Sequence, residues 1–81
     1  MQETIGQRLK KERETLFLTL EKASAETRIR LIFLQALEAD DYSVMPSAAQ
    51  GRGFLRNYAE YLHLNIDELI SEIQKNPTPF F

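Results

Sequence analysis

Cysteine is absent from the sequence and histidine occurs once, as His63. Disulfide scaffolding and thiol catalysis are thereby excluded, and nearly every zinc arrangement lacks its ligands. No run of about 18 apolar residues occurs, and the opening MQETIGQRLKKER is polar, so neither a membrane span nor a secretory signal is visible. A soluble chain is expected. An excess of positive charge is missing too: ten Lys and Arg stand against twelve Asp and Glu, a formal net charge of −2. Affinity for nucleic acid draws largely on phosphate neutralisation, so this balance disfavours a dedicated nucleic-acid binder. The one close group of cations, Arg8, Lys10, Lys11 and Arg13, is broken by Glu12 and followed by Glu14, and reads as a solvated helix face. No nucleophile and base are spaced for chemistry, so no catalytic residue, metal ligand or cofactor is assigned and the chain is not read as an enzyme. The stretch GRGFLR has no strand before it and lacks the full glycine pattern of a phosphate loop.

What is present is a series of helix signatures in one small domain. With 81 residues, 43% hydrophobic and 27% charged, the chain has the ordinary balance of a unit that folds by burial. Thr4 and Gln7 form a capping-box pattern that opens a first helix, on which Ile5, Leu9 and Leu16 share a face. Arg13 lies on that face as well, where an unpaired guanidinium is costly to desolvate. Thr19 caps a short second helix through about Glu26, with Leu20, Ala23 and Ser24 inward. A turn over residues 27–30 leads to a third helix, RLIFLQALEAD, burying Leu34 and Leu37 with Ile29 and Phe33. Glu38 follows Leu37 on that edge and is expected to pair with Arg13, tying the first helix to the third.

Pro46 closes a connector, and Ser47 with Gln50 forms a second capping-box pattern at the start of a fourth helix. That helix carries two apolar edges. Leu55, Ala59 and Leu62 share one face with Tyr58 at its border, while Phe54 and Tyr61 fall about 100° away, in a row with Gln50 and Asn57. The first edge suits a core. The second suits a partner, because clustered surface aromatics are favoured interface anchors. Gly51 and Gly53 each cost about 1 kcal/mol relative to Ala inside a helix, which points to close approach by another backbone. His63 falls at the helix end, where the dipole favours a cation, and reads as a capping residue. Asn65 and Glu68 open a final helix with Ile66, Leu69, Ile70 and Ile73 inward. The expected fold is all-α: a five-helix bundle over residues 4–75, with a three-helix helix-turn-helix part at 4–42 and two further helices at 47–75. Residues 76–81 read as a tail or linker.

The segments TIGQRLKKERE, LTLEKASAETRIR, FLQALEADDYSVMP and RGFLRNYAEYLHLNIDELI resemble the cytoplasmic N-terminal domain of the RodZ family. The likeness runs from about Thr4 to Ile70, and RGFLRNYA directly after a helix-turn-helix unit is its most specific part. The resemblance implies a fold similar to phage-repressor DNA-binding domains and a role in bacterial cell shape, through binding of the actin homologue MreB. It places the contact on aromatics one turn apart on the exposed side of the fourth helix. Aligned by the RGF motif, the second aromatic is Phe54 and the first falls on Gln50, which is not aromatic. The implied partner-binding set is Phe54, with Tyr58 or Tyr61 replacing the missing ring. Asn57 and Gln50 are expected to hydrogen-bond beside it, and Arg52 or Arg56 to pair with acidic groups. Family members usually carry glycine where this chain has Phe17, Asp40 and His63, so turns of different geometry are expected at Phe17 and Asp40. The resemblance also implies the cytoplasmic domain of an inner-membrane protein, with no membrane contact by this segment and any anchor elsewhere in the full-length protein.

The competing reading is a DNA-binding helix-turn-helix regulator, with Arg28 and Arg30 at the exposed start of the third helix reaching the DNA. Leu31, Ile32 and Leu20 are apolar where repressors of similar pattern tend to carry Gln. The acidic run EADD after the third helix would approach phosphates unfavourably. The cytoskeletal adaptor is therefore the preferred expectation.

Overall fold

Helices in this chain start where a short polar side chain takes up free backbone donors, and three of the four complete ones do so directly. The computed structural model describes residues 3–65, 67–69 and 71. Among these the complete helices are α1 (Ile5–Thr15), α2 (Leu20–Thr27), α3 (Leu31–Glu38) and α4 (Ala48–Tyr61). Thr4 Oγ1 accepts from the Gln7 amide at 3.1 Å while Gln7 Oε1 accepts from the Thr4 amide at 2.9 Å, closing the capping box of α1. Thr19 Oγ1 accepts from the Lys22 amide at 3.0 Å and Ser47 Oγ from the Gln50 amide at 3.1 Å. At Ser47 the expected reciprocal half is missing: the Gln50 side chain accepts from the Ser47 hydroxyl, at 3.2 Å, rather than from its backbone. Asn65 Oδ1 accepts from the amides of Asp67 and Glu68 at 2.8 and 3.2 Å, and residues 67–69 and 71 are helical where the fifth helix is expected. Ile66, Ile70 and Ile73, expected inward on that helix, and the tail at 76–81 lie outside the described residues.

The α3 helix has no side-chain cap, and the turn before it is stitched by hydroxyls instead. Ser24 Oγ donates to the Ile29 carbonyl at 2.6 Å, and Thr27 Oγ1 donates to the Ala23 carbonyl at 2.7 Å while accepting from the Ile29 amide at 3.2 Å. These bonds fix α2 against α3 as a helix-turn-helix pair. The α3 helix is the hub, in contact with α1, α2 and α4. Leu9, Leu34, Leu37, Tyr58, Ala59 and Leu62 are completely buried around it, with Leu55 and Leu69 nearly so. Leu16, expected inward, is 38% exposed instead, because α1 ends at Thr15 and Leu16 already belongs to the turn.

Where α1 meets the end of α3, the contact is made through backbone. A Cβ on Gly6 would lie 2.4 Å from the Glu38 carbonyl oxygen, so only glycine permits this approach. The Gly6 amide donates to Asp40 Oδ1 at 2.8 Å, which sets a carboxylate at the positive end of the α1 dipole. Asp40 itself is left-handed at φ 56°, as are Phe17 at 58°, Arg28 at 63° and His63 at 61°. At Phe17, Asp40 and His63 the backbone thus takes the conformation that glycine suits, so the different turn geometry expected at Phe17 and Asp40 is not found.

Gly53 is the opposite of Gly6: among the described residues nothing lies within 4 Å of the position its Cβ would take. The close approach expected at Gly53 is therefore not made by the backbone of the described residues. The two glycines should respond with opposite sign to the same substitution. Gly6→Ala is expected to lower stability by about 1–3 kcal/mol through overpacking, and Gly53→Ala to raise it by about 1 kcal/mol through helix propensity. Urea unfolding followed by circular dichroism checks both, and a stabilising Gly6→Ala would overturn the α1–α3 contact.

Candidate protein-docking face

The position of α4 depends on one polar cluster beneath it. Arg13 Nε lies 2.8 Å and Nη2 3.2 Å from the two carboxylate oxygens of Glu38, and Nη1 donates to the Leu18 carbonyl at 2.8 Å. Tyr58 Oη donates to Glu38 Oε2 at 2.6 Å. One carboxylate thus joins side chains from α1 and α4 to the last residue of α3, with the Arg13 and Glu38 side chains only 12% and 7% exposed. The hydrogen bond to Glu38 raises the Arg13 pKa further above its already high ordinary value. Burial, followed by the bond to Glu38, pushes the Tyr58 phenol well above the usual tyrosine range.

This cluster corrects one expected role. Tyr58 is completely buried rather than at the border of the face, so its ring is not available to a partner. Its hydroxyl finds an acceptor inside the domain, which makes full burial of a tyrosine tolerable.

On the outer side of α4, Phe54 is half-buried and stacks on Phe33 of α3, with ring centroids 5.0 Å apart and planes inclined by 19°. The expectation of a freely exposed Phe54 is thus modified: one face is held by Phe33 and the remainder meets solvent. Phe33 was expected in the core, one turn before Leu37, but it is half-buried on the seam between α3 and α4. Tyr61 is also half-buried, its hydroxyl donating to Glu26 Oε1 of α2 and its ring 6.5 Å from that of Tyr58. Desolvation and then the Glu26 bond push the Tyr61 phenol up to about 12. Gln50 and Asn57 are exposed along the same row, with Gln50 bound to Ser47.

Arg52 and Arg56 are exposed, on the side of α4 away from Phe54. Each is two residues from it along α4, a rotation of about 200° at 3.6 residues per turn, so both lie on the other flank of the exposed face. Phe33 and Glu26 are the residues at this seam that sequence reasoning did not assign to it. Their places depend on how α2 and α3 dock against α4, which no local spacing reports.

At the start of α3, Arg28 and Arg30 are exposed, Arg28 in the left-handed turn residue and Arg30 in the capping position. The same helix exposes Ile32 to 54%. Among the described residues no group of three or more His, Cys, Asp or Glu could hold a metal ion, and no helix is long and apolar enough to cross a membrane.

Residues 8–69 match a family described as a helix-turn-helix domain. The cytoskeleton protein RodZ of Streptococcus pneumoniae is 37% identical over 67 residues, which are 83% of this chain and 24% of that protein. An uncharacterised membrane protein of Bacillus subtilis, YmfM, is 34% identical over 59 residues, 73% of this chain and 20% of that protein. The chain therefore spans a quarter or less of the length of these relatives. Among solved structures, YmfM of Staphylococcus aureus, a membrane protein proposed to bind DNA, superimposes with a TM-score of 0.83 at 30% identity, covering 90% of this chain and 89% of that one.

The buried cluster carries its own test. Glu38→Ala strands the Arg13 guanidinium in a nearly dry site, with an expected loss of about 3–5 kcal/mol. Tyr58→Phe removes one bond and keeps the ring, with an expected loss of roughly 1–3 kcal/mol. Denaturant titration of both variants checks this, and a Glu38→Ala loss no larger than that of Tyr58→Phe would show that the ion pair is not what holds the helices together.

Proposed function

Since this chain belongs to the helix-turn-helix domain family and is RodZ-like within it, we propose that it is a cytoskeletal adaptor domain, binding the bacterial actin homologue MreB through the outer flank of α4. It acts in this reading as the cytoplasmic part of a membrane-anchored protein, with the anchor outside the segment described. The observation that carries the proposal is the Phe33–Phe54 stack. A ring that reaches solvent while a second ring immobilises it is a preorganised anchor: little rotamer entropy remains to be lost on binding, and the partner gains a rigid apolar surface. Gln50 and Asn57 supply hydrogen-bonding groups along the same row, and Tyr61 stands at its end with its hydroxyl already bound to Glu26. Tyr58 takes no part in this contact, being buried.

DNA binding by α3 is the second reading, supported by the exposed Arg28 and Arg30. Base readout needs donors and acceptors on the exposed face of the recognition helix. Ile32, 54% exposed there, offers neither. The Asp40 and Asp41 carboxylates after α3 add repulsion toward phosphate.

Phe54→Ala is expected to weaken binding to purified MreB by about 2 kcal/mol or more, roughly 30-fold, while the helical circular-dichroism signal is retained. Unchanged affinity would remove the α4 flank from the proposal. The same domain titrated with a random DNA duplex at low salt is expected to bind weakly, and tight binding that collapses with added salt would favour the α3 reading.

A further inference from the structure

Gly53 sits in the middle of the exposed face of α4, and among the described residues nothing lies within 4 Å of the place its Cβ would take. Its φ is not positive, so no turn or left-handed backbone calls for glycine there. Rotation of about 100° per residue sets Phe54 on one flank of Gly53, and Arg56 and Arg52 on the other at about 60° and 100°. Asn57 lies one turn beyond Gly53 on the Phe54 side, and Glu60 lies two turns on, almost in line with Gly53. All of these but the half-buried Phe54 are exposed. Neither Arg52 nor Arg56 is in an ion pair among the described residues.

The arrangement is a bare helix backbone between an aromatic wall and a cationic one. A helical position that lacks a side chain, with no reason among the described residues to lack it, suits another chain coming to backbone distance. Two unpaired guanidiniums beside it set the charge of what approaches, since carboxylates meet arginine in short, bidentate bonds. Resting on the adaptor reading, we propose that Gly53 is the contact centre of that interface. The occupant is a helical protein segment that crosses α4 at Gly53 with small residues, packs an apolar side chain on Phe54 and Phe33, and carries acidic side chains to Arg52 and Arg56. The two arginines, which geometry removes from the Phe54 flank, thereby belong to the same footprint from its other side.

The test compares three variants in one titration with purified MreB. Gly53→Gln adds an uncharged, helix-favouring side chain into open space; it is expected to keep or raise the unfolding midpoint and to weaken binding at least tenfold. The double variant Arg52→Glu/Arg56→Glu is expected to weaken binding at least tenfold at low salt, and by less as salt is added. Phe54→Ala serves as the control for the adaptor reading itself. If Phe54→Ala weakens binding and Gly53→Gln does not, the central contact is wrong while the α4 reading stands. If both Gly53 and Phe54 variants bind as the parent does, or the parent does not bind, both proposals fall. Parallel titrations with a DNA duplex and with vesicles containing anionic lipid, and sedimentation of the domain alone, examine other occupants. Loss of one of those interactions in Gly53→Gln, with MreB binding intact, overturns the assignment of a protein helix.

Discussion

The Glu38 carboxylate accepts from the guanidinium of Arg13 and the phenol of Tyr58, and so ties α1 and α4 to the last residue of α3. An ion pair this dry owes its stability to geometry: both carboxylate oxygens are engaged, the remaining guanidinium nitrogen reaches the Leu18 carbonyl, and no charge is left without a partner. The pairing also sets rotation. Tyr58 can reach Glu38 only if its side of α4 turns inward, and that rotation leaves Phe54 at the α3 seam and Gly53 facing outward. The internal bond is thus what decides which part of α4 meets solvent.

A second constraint acts at the ends of the helices, where the chain reverses with few glycines. Among the described residues four that are not glycine are left-handed, a conformation that costs an L-residue roughly 1–2 kcal/mol. Asp40 recovers part of that cost through its bond to the Gly6 amide, since the carboxylate is both an acceptor and a favourable charge at the start of α1. Phe17 shows no such return, being 94% exposed in the same strained conformation. Gly6 and Asp40 work together: the missing Cβ of one lets α1 close on α3, and the side chain of the other satisfies the amide that this closure brings to it.

Much of this was legible in the sequence because it is local. Thr4, Thr19, Ser47 and Asn65 announce helix starts through hydroxyl and amide chemistry that acts over three residues. The Arg13–Glu38 distance of 2.8 Å matches what desolvation demands of an arginine on an apolar face. What the sequence does not show is how the helices dock on one another. Tyr58, at a helical border, is turned inward by an acceptor 20 residues away in sequence. Phe33 reads as core from its spacing to Leu37, and only the approach of α4 makes it the support of Phe54. Arg52 and Arg56 stand two residues from Phe54, almost the greatest angular separation a helix allows.

A helix-turn-helix scaffold does not fix the ligand, since function resides in the side chains a fold presents. Here α3 offers two arginines at its start, and along its length it exposes Ile32 as well as Gln35, so the face a base reader would use is part apolar. Its polar demands have turned inward: Glu38, at its end, is committed to Arg13 and Tyr58 rather than to solvent. On the adaptor reading, the surface that matters moves from the recognition helix to α4, the element that the Glu38 cluster orients. Tyr58 then contributes to binding without touching a partner, because the same rotation that buries its ring holds Phe54 against Phe33 at the surface.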